Sequence, residues 1–196
     1  MKSNVCKIEN GTKDLAAILN ESQRVAEYNG LTGKQTLQLR LLCEEIDGML
    51  PNIIDEFDGS LWIELEDGVC KVHVSIEIPE FNSHKKEELI NVAKNKKNVA
   101  AVGIVGKIRD AIETFFLNED TALALSASTS MATGYSECVD YAYLWSLEKY
   151  RNSVSEEKQA EAWDELEKSV IASVADDVIV GVRGKQADIV IIKKFS

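Results

Sequence analysis

Apolar positions alternate between two periods along the chain, and the switches between them mark the elements. From Lys13 to Asn29, Leu15, Ile18, Leu19 and Val25 recur at helical spacing, and Gly30 supplies a stop. A second helix is expected from near Gly33 through Leu37, Leu41, Leu42 and Ile46, with Gly48 and Pro51 weakening or bending its end. The period then changes to two. Ser60–Glu66 and Val69–Ile78 read as strands joined by Asp67-Gly68, a dipeptide suited to the positive backbone angles of a tight hairpin. On the second strand Val69, Lys71, His73, Ser75 and Glu77 alternate with Cys70, Val72, Val74, Ile76 and Ile78, so the apolar set takes one face.

Helical spacing returns over Lys85–Asn95 and Val105–Phe116, and the Ala-, Ser- and Thr-rich stretch Asn118–Gly134 reads as a connection. A long helical region is expected over Ser136–Ala175, as two helices broken near Asn152–Ser155. Asn4–Asn10 reads as a short edge strand, and Val178–Val182 with Ile189–Lys193 as a closing hairpin around Gly184. Two hairpins separated by helices predict an α+β fold: a two-layer sandwich, its sheet mixed or antiparallel, with helices packed on one face. Strict strand–helix alternation is absent, which disfavours a doubly wound parallel sheet.

Composition narrows the class of protein. The 196 residues, 45% of them apolar, suffice for one core, so residues 1–196 are expected to form a single domain. A net charge of −11 disfavours binding to nucleic-acid backbones or anionic membranes. No apolar run reaches the roughly 18 residues of a spanning helix, and the amino-terminal stretch lacks a signal-peptide core, so a cytoplasmic location is expected. Cys6, Cys43, Cys70 and Cys138 are scattered within apolar patterns and predict buried thiols rather than a disulfide framework.

The chemistry-bearing candidates lie on three segments. LLCEEIDGMLPNII, Leu41–Ile54, carries the pair Glu44 and Glu45 on an apolar helix, with Met49 four positions after Glu45. GIVGKIRDAIE, Gly103–Glu113, sets two glycines before a helix with Lys107 close by, an arrangement that brings backbone amides and a helix amino terminus towards phosphate. In the structural reading of the same residues, Gly103 ends a turn and Gly106 allows close helix packing. The third segment is DVIVGVRGKQADIVIIKKF at the carboxy terminus.

Together with the element order, these segments resemble the histidine-kinase-like ATPase domain of GHKL proteins, in its anti-sigma-factor kinase type. The similarity spans residues 31–196, leaving 1–30 as an amino-terminal strand and helix. It implies ATP or ADP as ligand, Glu45 as the catalytic carboxylate, and a cofactor site from Glu77, Gly103, Gly106 and Lys107. Met49 stands where the family has a metal-binding asparagine, and a thioether is a poor ligand for Mg2+. The family's adenine-recognising aspartate and glycine are also missing from VHVSIEIPEFNS, where Glu77 stands nearest. The resemblance therefore implies a regulatory or partner-binding module with weak or absent ATP binding, a protein as its partner, and no metal site. The alternative is an ATP-binding anti-sigma-factor-type serine kinase or ATPase with an atypical site.

Other candidates have structural readings beside the functional ones. Glu44, Glu45 and Asp47 also fit a solvated helix edge, and Lys85, Lys86, Lys94, Lys96 and Lys97 a solvated basic face. Tyr141, Leu144, Trp145 and Leu147, like Trp163, Leu166 and Val170, read as helix stripes for the core or for a partner. His73 and His84 lack the spacing of a zinc site or a catalytic triad.

Overall fold

A computed structural model of the chain describes residues 1–9, 15–54, 56–78, 103–117, 142–153, 169–183 and 185–195. The expected Lys85–Asn95 helix, the basic cluster, His84, the Asn118–Gly134 connection, Cys138, Tyr141, Trp163 and Leu166 fall outside those residues.

In chain order the elements are β1 (Cys6–Glu9), α1 (Leu15–Tyr28), α2 (Gly33–Ile53), β2 (Asp58–Glu66), β3 (Val69–Glu77), α3 (Gly103–Leu117), β4 (Ala142–Ser146), α4 (Leu147–Ser153), α5 (Val170–Val174), β5 (Asp177–Arg183) and β6 (Gln186–Lys194). The six strands form one sheet in the order β1-β2-β3-β6-β5-β4, with every neighbouring pair antiparallel. Helices cover one face, so the architecture is an α+β two-layer sandwich.

Local chemistry starts and stops the two leading helices. α1 ends in a Schellman turn: Gly30 takes φ +64°, the Leu31 amide donates to Ala26 O at 2.9 Å, and the Gly30 amide to Glu27 O at 3.1 Å. α2 begins in a capping box, in which the Gln35 amide donates to Thr32 Oγ1 at 3.4 Å and the Thr32 amide to Gln35 Oε1 at 2.8 Å. From that start, Leu39, Leu42, Cys43, Ile46, Met49, Leu50 and Ile53 fall on one buried stripe. α2 continues through Gly48 and Pro51 to Ile53, where the weakened end was expected. The buried Met49, Leu50 and Ile53 tie that last turn to the core, and the Ile54 amide closes it on Leu50 O at 3.0 Å.

The sheet meets this stripe with one face of each strand. Leu61, Ile63 and Leu65 of β2 pair with Val74, Val72 and Cys70 of β3, and Val72 and Val74 in turn with Ile191 and Ile189 of β6. Val178 and Val180 of β5 extend the same face. The β2–β3 turn is the expected one, with φ +50° at Asp67 and +77° at Gly68. The Phe195 amide donates to Gly68 O at 2.7 Å, pinning the turn beside the end of β6.

One expectation is overturned between Ser136 and Ala175. Ala142–Ser146 is a strand, β4, paired with β5 through a register shift between Tyr143 and Trp145, and only α4 and α5 are helical among the described residues there. Trp145 is consequently a strand residue partly buried against the core, and Leu147 opens α4 fully buried. Aromatic and aliphatic residues in AYLWS suit a strand as well as a helix, and pairing with the edge of β5 decides between them.

Cys6, Cys43 and Cys70 are buried, as their apolar surroundings predict. Burial pushes the Cys43 thiol well above its ordinary range and that of Cys70 up to about 12, which keeps both protonated and unreactive.

Two substitutions test this packing by urea unfolding. A Cβ on Gly59 would lie 2.3 Å from Ser75 O, so Gly59→Ala should destabilise by about 1–3 kcal/mol. Leu42, at 0% exposure, should lose about 2–5 kcal/mol on truncation to alanine. Unchanged midpoints would contradict the β2–β3 register and the α2 stripe, respectively.

Candidate functional site

The buried stripe of α2 determines where its acids lie. Glu44 is exposed, whereas Glu45 and Asp47 are half-buried along the margins of the stripe. Glu45 makes no hydrogen bond or ion pair with the described residues. Met49, one turn on and on the same side of the helix, is 4% exposed within the hydrophobic core. Its thioether therefore serves as packing.

α3 packs against α2 and against β4 and β5. Gly103 opens α3 at φ +82°, a left-handed conformation that favours glycine, and Gly106 is buried. Ile104, Ile108 and Ile112 seat the helix in the core. Lys107 lies over the ring of Tyr150, its Nζ 5.3 Å from the centroid, and that ring is tilted against Trp145 at 6.1 Å. The cation thus has an aromatic contact on α4.

Glu77 stands apart from these residues. It ends β3 exposed, across from Asp58 on β2 and Gln186 on β6. Ile76 and Ile78 on either side are buried in the core, so strand alternation sends Glu77 to the face away from the helices. The fold brings the Glu45 helix together with the helix of Gly103, Gly106 and Lys107, and puts Glu77 on the opposite side of the sheet. Among the described residues, no three His, Cys, Asp or Glu side chains converge as a metal-holding group. No helix among them is long and apolar enough to cross a membrane.

That opposite face carries a cluster that the sequence reading did not single out. Trp62 and His73, paired across β2 and β3, stack with ring centroids 4.8 Å apart and planes 2° apart. Lys2 Nζ sits 4.9 Å from the Trp62 ring and 3.1 Å from Glu64. Trp62 Nε1 donates to Glu64 Oε1 at 3.1 Å. His73 Nε2 lies 3.3 Å from Glu64 Oε2 without the alignment of a hydrogen bond, a pair that is ionic only when His73 is protonated. The available signal was the Asp67-Gly68 turn, which sets a register with Trp62 opposite His73.

The electrostatics of the cluster follow from its burial. Desolvation lowers the His73 pKa, with Lys71 and Lys2 adding to the effect and Glu64 opposing it. For Glu64, burial pushes upward, but the Lys2 hydrogen bond, the His73 charge and the Trp62 hydrogen bond outweigh it and hold the carboxyl below its ordinary range.

No family model, curated protein or solved structure matches this chain.

The folded pKa of His73 lies below its ordinary 6.5, so the unfolded chain takes up the proton first. The associated stability is fully present above 6.5 and is lost as pH falls from there through the lower folded value. His73→Phe should flatten the fall in the urea midpoint between about pH 7 and about pH 5; an unaltered profile would assign that fall to other groups. Glu64 acts in the same direction at lower pH, its contribution being lost as pH drops below 4.5. Glu45→Ala, at a half-buried site without a described partner, should change stability by no more than about 0.5 kcal/mol in the same assay.

Proposed function

We propose that this chain is a regulatory or partner-binding module on a histidine-kinase-like ATPase scaffold, with weak or absent ATP binding and a protein as its partner. Met49 carries the reading. At the position where the resemblance calls for a metal-holding oxygen, the chain has a thioether 4% exposed in its core. A triphosphate beside the Glu45 margin of α2 would meet that carboxylate with a buried thioether, and no hard oxygen ligand, one turn on at Met49. Lys107 is in contact with Tyr150, and Glu77 is on the other face of the sheet, so two of the four implied cofactor contacts are engaged or directed elsewhere.

The leading helix, the β2–β3 hairpin, α3 and the closing β5–β6 hairpin support the scaffold half of the reading, with the strand β4 and two short helices where the resemblance has a long helix. One observation favours the alternative of an ATP-binding serine kinase or ATPase with an atypical site. Gly103, at φ +82°, is the half-exposed first residue of the 15-residue α3, and a helix amino terminus is a place that can accept phosphate.

Calorimetry and thermal unfolding with ATP and ADP, each with and without Mg2+, distinguish the two readings. A ligand at 100 times its Kd stabilises a fold by about 2.7 kcal/mol. The expected result is no saturable heat and an unmoved midpoint at millimolar nucleotide. Saturable stabilisation that Mg2+ strengthens, and that Gly103→Val or Glu45→Ala weakens without loss of folding, would overturn the proposal in favour of the alternative.

A further inference from the structure

We draw no further inference here: the strongest candidate, the row of Trp62, His73, Val190 and Ile179 across the sheet face opposite the helices, is a half-buried surface for which nothing in the structure shows what covers it.

Discussion

The contact between the apolar stripe of α2 and one face of the antiparallel sheet is the constraint on which the other features depend. Leu39, Leu42, Cys43, Ile46, Met49, Leu50 and Ile53 can all be buried only if the sheet presents an unbroken apolar surface. That in turn requires the β2, β3, β6 and β5 registers to agree, because a slip of one residue would turn each apolar set outward. The Asp67-Gly68 turn and the close approach of Gly59 to Ser75 O pin the first of those registers. Phe195, bonded to Gly68, ties the end of β6 to the same turn.

The same burial shapes the candidate site. A helix that gives seven side chains to the core leaves its acids along the margins, where Glu45 is half-covered and Glu44 is in solvent. Met49 belongs to the core set, and so the position one turn beyond Glu45 offers packing in place of an oxygen ligand. α3 is held by Ile104, Ile108 and Ile112, which leaves Lys107 at the side of the helix that meets Tyr150. These are consequences of filling one core.

A two-layer sandwich also has a second sheet face, and here it is chemically distinct from the first. Trp62 and His73 stack there, with Lys2 over the indole and Glu64 beside both Lys2 and His73. His73 pays for its place in lost solvation, and Glu64 remains ionised because its partners outweigh its burial. Glu77 shares this face, as the alternation of Lys71, His73, Ser75 and Glu77 along β3 requires. Its outward direction was therefore legible in the strand pattern, while its grouping with Glu45 came from the family resemblance.

By itself the sequence determined the α1–α2 pair, both hairpins and the side of β3 that turns inward. Those features obey local rules: a capping box at Thr32 and Gln35, left-handed turns at Gly30 and Asp67-Gly68, and apolar periods of 3.6 and 2. Tertiary structure decided whether AYLWS became a strand, because its aromatic and aliphatic residues suit either period and pairing with β5 was needed to choose. It also decided that α2 runs past Pro51, that Lys107 meets Tyr150, and which of the implied site residues share a side of the sheet. Each of these depends on contacts between segments far apart in the chain, and no local period or turn signal carries that information.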